Sequence, residues 1–404
     1  QKSEKNGGSA YIWNRETSHV LRLGMGPKVL GMNPRVEKGQ VTALDQSKGA
    51  DMGRSNETSA VVAGHLCLDI LPALQRDFEL VPGGMVEVGA AAVSTGGVVS
   101  NTGGAMYLLG IPVTLIGKVG SDAFGDIVCK TLSRYVPNAG ESMIRSETVS
   151  TSYTVVINIP GIDRTFLHCA GANHEFGPED IVVDSYGHAS LFHFGYPPLM
   201  RRMYRDDGRE LVELFRKVKD RGMTTSLDMS MPDPDGESGS APWRRILEDV
   251  LPYVDIFLPS VEELLFMLRP DRIGSSDTLD GADLSLLADE VTGYGVRIFG
   301  LKMGSRGLYV RTAEAWDPRA FGRVRLPEGG DWHGRELWFP VFEPSRIAGT
   351  TGAGDCTNAG FLAAMLSGED PVRAGRFANA VGACNVEKPD ALSGILSREE
   401  VCRR

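Results

Sequence analysis

Ala348-Gly349-Thr350-Thr351-Gly352-Ala353-Gly354-Asp355-Cys356-Thr357-Asn358-Ala359-Gly360-Phe361-Leu362 is the stretch from which this 404-residue chain is best read. An apolar run at 337–342 precedes it and reads as a strand. Beyond it Ala359, Phe361, Leu362, Met365 and Leu366 recur at helical spacing, and Gly368 suits a helix C-terminus. A glycine-rich turn therefore opens a buried helix. The N–H groups of a helix's first turn have no partner inside the helix, and together with the dipole they attract anions. Asp355 stands in that turn, where a carboxylate is itself favoured.

An acid beside an anion hole is what phosphoryl transfer to an alcohol requires. The hole neutralises charge on the moving phosphoryl group, and the carboxylate takes the hydroxyl proton. An ordinary tight turn with Asp355 as a helix-start charge has the same local pattern. The turn alone does not separate the two readings. A Gly-x-x-x-x-Gly-Lys-Ser/Thr loop is absent from the sequence.

Outward from the turn, short apolar runs at 61–64, 113–117, 225–228, 255–258 and 297–301 alternate with helical stretches such as 208–218 and 260–268. This predicts an α/β fold, a doubly wound, mainly parallel sheet with helices on both faces. Ligands bind such sheets at the carboxyl ends of the strands. The segments from about 82–94 and 151–168 are strand-like without companion helices, and predict a small β lid. Residues 313–335 read as an inserted loop, and 233–242 as another. Residues 1–58 have few grouped apolar positions and read as a poorly ordered or loosely docked extension, leaving 59–404 as the main domain. Within 1–58, Tyr11-Ile12-Trp13 and the patch 20–23 are the parts able to dock.

The net charge of −10 argues against sequence-independent nucleic-acid binding, which needs a basic surface. Any phosphate must be held by a local site. Cysteines at 67, 129, 169, 356, 384 and 402 form no Cys-x-x-Cys pair or zinc-ligand pattern, and suggest free thiols in a reducing, cytoplasmic compartment. No apolar run is long enough to span a bilayer, so no membrane partner is expected.

A second constellation is Gly96-Gly97-Val98-Val99-Ser100-Asn101-Thr102-Gly103-Gly104, followed by Gly110 and by Gly117-Lys118-Val119-Gly120. Asp69 lies upstream. With the 349–355 turn, this resembles the ribokinase-like (PfkB) family of carbohydrate kinases over roughly residues 60–395. Gly97, Asn101, Gly110 and Gly120 fit the spacing of that family's N-terminal signature. The resemblance implies a kinase that uses ATP and Mg²⁺ on a small sugar. Asp355 then matches the catalytic base, and Gly352, Ala353 and Gly354 match the anion hole. Asp69, Gly96, Gly97 and Asn101 match sugar-binding positions, and Asn173 lies where further substrate contacts fall. Lys302, Gly304 and Gly307 resemble the nucleotide-side turn, and Asn379 a residue beside the adenine. Ser260 and Glu263 occupy the place of an Asn-x-x-Glu motif whose Glu reaches Mg²⁺ through water. Ser-x-x-Glu is equally a capping box. Lids in this family often pair, which implies a homodimer through the lid.

The chain departs from the signature at Gly349, where relatives carry an Asp that helps hold a monovalent cation. Strong potassium activation is therefore not expected. A nucleoside kinase of the same fold and a catalytically inactive sugar sensor are the competing readings. A dinucleotide-dependent oxidoreductase is disfavoured, because no Gly-x-Gly-x-x-Gly follows the first strand.

Overall fold

The computed structural model describes residues 11–14, 19–22, 59–74, 81–158, 165–327 and 332–404. Six parallel strands form the centre of the main sheet: Ile298–Lys302, Ile256–Phe257, Thr224–Asp228, Leu191–Gly195, Ala60–Gly64 and Val113–Ile116, in that spatial order. Leu308–Thr312 and Glu336–Phe339 add to one edge antiparallel. Tyr11–Asn14 and His19–Arg22, the described part of 1–58, pair as a hairpin and continue the same edge. Most of 1–58 lies outside the described residues.

The side-chain alternation of the strands creates two cores. Ala60, Val62, Leu191, Ile256 and Ile298 point to the face covered by the helices Val98–Leu108, Ala353–Leu366 and Pro371–Val386. Val61, Phe192, Phe194, Phe257 and Phe299 point to the other, under Arg209–Asp220, Trp243–Val250, Val261–Leu268 and Gly281–Gly293. Each of those phenylalanines is fully buried and contributes roughly 1.5–3 kcal/mol of transfer free energy. Because both faces are covered, the strands read as apolar runs without alternation.

Asp69, matched to a sugar-binding position, lies just after the strand Ala60–Gly64. It sits inside a further strand, Cys67–Ala73, which belongs to a separate four-stranded sheet with Gly89–Gly96, Tyr153–Ile157 and Thr165–Cys169. Only His65 and Leu66 separate Cys67–Ala73 from the strand Ala60–Gly64, whose last residue, Gly64, has φ 126°. The start of the expected lid segment, 82–88, is not strand. Among its described residues the 313–335 stretch carries one short helical turn, Pro318–Phe321, and packs Phe321, Val324 and Trp332 into the core, which anchors it.

Candidate active site

The helix Ala353–Leu366 starts from Gly352, whose φ of 73° lies in the left-handed region. A methyl group there would sit 2.5 Å from the Cβ of Ala391, so both space and conformation require glycine. Asp355 stands in the first turn and is 3% exposed. Three side chains donate to its carboxylate. Asn101 Nδ2 and the Tyr196 hydroxyl meet Oδ2 at 2.9 and 2.8 Å, and Thr102 Oγ1 meets Oδ1 at 3.2 Å. Asn101 and Thr102 come from the first turns of the helix Val98–Leu108, whose N-cap is Gly97. The two glycine-rich stretches are thus neighbours in space. Asn101, expected at a sugar, spends its amide nitrogen on Asp355 and leaves its Oδ1 unpartnered.

Facing this turn are the carboxyl ends of the parallel strands. Lys302 closes Ile298–Lys302, and Asp228 closes Thr224–Asp228. Lys302 Nζ donates to Asp228 Oδ1 at 2.7 Å. A methyl group built on Gly354 would lie 3.5 Å from the Lys302 stem and 3.7 Å from Nζ, so the ammonium rests against the glycine-rich turn. Burial alone would lower the lysine. The carboxylates of Asp228, Glu263 and Asp355 outweigh it and hold Lys302 above its ordinary value. Burial pushes Asp228 up, against the pull of Lys302.

Ser260 and Glu263 form a reciprocal cap on Val261–Leu268. Ser260 N donates to Glu263 Oε2 at 2.7 Å, and Glu263 N to Ser260 Oγ at 3.4 Å. One oxygen of Glu263 is thereby spent on the helix start. Gly304 and Gly307, at φ 53° and 92°, bracket the turn after Lys302. Asn379 donates to the carbonyls of Phe339 and Pro340 at 2.8 and 3.0 Å, which ties its helix to the sheet edge.

In the four-stranded sheet, the Asp69 carboxylate packs against Gly96, where a methyl group would come within 2.4 Å of Oδ2. The Cys67 thiol, a weak donor, reaches its Oδ1 at 3.3 Å. Burial raises Asp69 to about 6, against opposing bonds from Cys67 and Thr154. His168 Nδ1 meets Thr154 Oγ1 at 3.0 Å, and its ring lies 5.3 Å from that of His65. Asn173, expected at the substrate, uses its amide on Leu66, accepting from N at 3.2 Å and donating to O at 3.0 Å. It thereby holds the link between Ala60–Gly64 and Cys67–Ala73.

Sequence reading missed Thr102, Tyr196 and Asp228. Asp228 carried a usable signal, an acid at the end of a buried strand in a sheet whose ligands bind at that edge. Tyr196 and Thr102 carried none, because only the fold brings them to Asp355.

A glycine-rich turn and a buried first-turn carboxylate thus meet a lysine at the carboxyl ends of the strands of a doubly wound sheet, and the comparisons with known proteins make this chain a phosphotransferase with an alcohol group as acceptor. A profile of the pfkB family carbohydrate kinases matches residues 57–397, and the chain belongs to that family. A relative described as an uncharacterized sugar kinase of Archaeoglobus fulgidus is 27% identical over 288 residues, 71% of this chain and 96% of the relative. The solved Arabidopsis thaliana ribokinase, complexed with ribose and ATP, superposes with a TM-score of 0.64 at 19% identity, covering 86% of this chain and 98% of that one. A putative ribokinase II from E. coli, in complex with ATP and Mg²⁺, gives 0.62 at 20% identity, covering 85% and 97%. At those identities the two structures establish the fold.

Proposed function

We propose that this carbohydrate kinase transfers the γ-phosphoryl group of MgATP to a primary hydroxyl of a small sugar, with Asp355 as general base. The observation that carries the reading is Asp355 in the first turn of a buried helix, beside backbone N–H groups at 352–355 and the Lys302 ammonium. The carboxylate accepts the sugar's proton as its oxygen attacks phosphorus in line. The N–H groups and Lys302 neutralise the charge that develops on the phosphoryl oxygens.

The neighbourhood suits Mg²⁺ carried in by the nucleotide. Among the described residues no three His, Cys, Asp or Glu side chains gather as a ligand set, and Mg²⁺ commonly takes one or two carboxylates plus substrate phosphates. Glu263 is the residue to reach it through water, and the ion supplies charge neutralisation. At Gly349 a methyl group would meet the carbonyls of Pro389 and Lys388 at 3.1 and 3.3 Å, so the relatives' Asp has little room there. Turnover is accordingly expected to change little on exchanging sodium for potassium. A severalfold rise would contradict this.

Asp69, Gly96 and Gly97 are the proposed sugar contacts. The lid presents Val93, Phe166 and Leu167 exposed, which supports pairing of two lids as the homodimer contact. All six cysteines are free, which favours a reducing compartment such as the cytoplasm. No helix among the described residues is long and apolar enough to cross a membrane.

The test is ADP formation from MgATP across a panel of neutral sugars, sugar acids, sugar phosphates and nucleosides. Asp355→Asn should retain ATP binding and lose about 10²–10⁴ in kcat on the best acceptor. Near-normal turnover in that variant would remove Asp355 as the base.

A further inference from the structure

Tyr196 follows the strand Leu191–Gly195 with φ 68° and ψ 41°, a left-handed conformation uncommon for a residue with a bulky ring. Strain of this kind persists where the surroundings hold it, and it concentrates at functional sites. Here it accompanies a phenol aimed at Asp355 Oδ2, 2.8 Å away. The same oxygen accepts Asn101 Nδ2 at 2.9 Å. A carboxylate oxygen offers about two lone-pair directions, so Oδ2 is filled. An attacking hydroxyl would have to donate to this carboxylate over the same kind of distance. The phenol already makes the contact an acceptor alcohol would make.

Of the three donors on Asp355, Asn101 and Thr102 are 4% and 0% exposed, whereas Tyr196 is only partly buried. Tyr196 is therefore the donor free to leave. Beside it, 5.8 Å between ring centroids, stands His65. His65 is 2% exposed, and neither ring nitrogen has a hydrogen-bond partner. Burial, with His168 and His174 adding to it, keeps that imidazole neutral, able to donate at one nitrogen and accept at the other. Orphaned buried polar atoms of this kind signal an arrangement completed by something else.

We propose that Tyr196 holds the acceptor's place on Asp355 in the resting enzyme, and that a polyol displaces it where water does not. The proposal rests on Asp355 being the base. A sugar brings further hydroxyls to Asp69 and to the unpartnered His65, and those contacts outcompete the phenol. A water molecule brings one contact and loses the exchange. The reaction held back is hydrolysis: a water oxygen bonds to the γ-phosphorus, the bond from phosphorus to the ADP oxygen breaks, and the water's proton passes to Asp355.

The experiment measures ADP release from MgATP by the full chain without sugar, for wild type, Tyr196→Phe and Tyr196→Leu, alongside sugar titrations. Both variants lack the donor. The sugar-free rate is expected to rise about tenfold, the size of one such hydrogen bond, and the sugar KM to fall. A sugar-free rate at or below wild type in both variants overturns the proposal. If kcat also drops in that case, Tyr196 is a positioning residue. A rise that persists when Asp355→Asn is added overturns it as well, because the base is then not what the phenol shields. A wild-type chain that phosphorylates no acceptor, or that keeps its turnover after Asp355→Asn, removes the base assignment itself and this proposal with it.

Discussion

Asp255 and Asp228 are buried carboxylates paired with lysines at opposite edges of one parallel sheet. At the amino edge Asp255 receives Lys219 Nζ at 2.6 Å, Arg297 Nη1 at 2.7 Å, and the N–H and hydroxyl of Thr225 at 2.9 and 3.0 Å. Lys219 also donates to the carbonyl of Ala320 at 2.7 Å. Four donors, two of them cationic, close that edge. At the carboxyl edge Asp228 receives Lys302 Nζ at 2.7 Å and the N–H of Met229 at 2.8 Å. There the ammonium also borders Gly354, the place proposed for the phosphoryl group. The same chemical pair is a clamp at one edge and a poised charge at the other. What differs is how many additional donors complete it, and whether open backbone lies beside it.

Removing the poised cation should produce the largest effect. Lys302→Met is expected to cost about 10³ in kcat, the scale of losing one preorganised charge-stabilising donor. It also leaves Asp228 buried and unpaired, which lowers stability. Adding Asp228→Asn should restore the melting temperature without restoring kcat. Steady-state kinetics and thermal melts on the two variants separate the roles, and recovery of kcat in the double variant would break the comparison.

The amino-edge clamp should behave in the opposite way. Asp255→Asn is expected to lower unfolding free energy by about 3 kcal/mol, as for a broken buried pair, with kcat within about twofold of wild type. Urea denaturation reads the first quantity and the kinase assay the second. A large fall in kcat measured well below the melting temperature would show that the two edges are not functionally separate.

A smaller and pH-dependent effect belongs to Asp69. Burial raises its pKa to about 6 from an ordinary value of 3.8. Protonation below about 6 removes a charge and an acceptor for sugar hydroxyls. The sugar kcat/KM should therefore fall as pH drops through 6, chiefly through KM. The stability sign is the reverse: ionising Asp69 costs the folded state, so its contribution is fully present below 3.8 and is lost as pH rises toward 6. Asp69→Asn should bind sugar more weakly and show no inflection near 6. An inflection that survives the substitution would assign the titration to another group.

Local physics made much of this protein legible. The turn at 349–355 and the helix after it follow from glycine conformations and a helical repeat, both set within a few residues of chain. Five of the six parallel strands were visible as apolar runs, because both faces of the sheet are covered. Leu191–Gly195 and Leu308–Thr312 were not picked out, because a short buried run interrupted by His193 or Arg311 looks locally like many other segments. Ser260 and Glu263 form the cap that one of their two readings expected, because a Ser-x-x-Glu pair at a helix start closes on itself through local backbone geometry.

The sequence by itself determined the glycine-rich turns, the acid at 355, the α/β alternation and the membership of a kinase family. Only the tertiary structure decided which residues surround that acid. Asn101 is 254 positions from Asp355, Tyr196 is 159 away, and Lys302 is 74 from Asp228. Such contacts depend on strand order and helix packing, which bring distant segments to one sheet edge. Propensity and spacing act over a few residues and carry no record of that meeting.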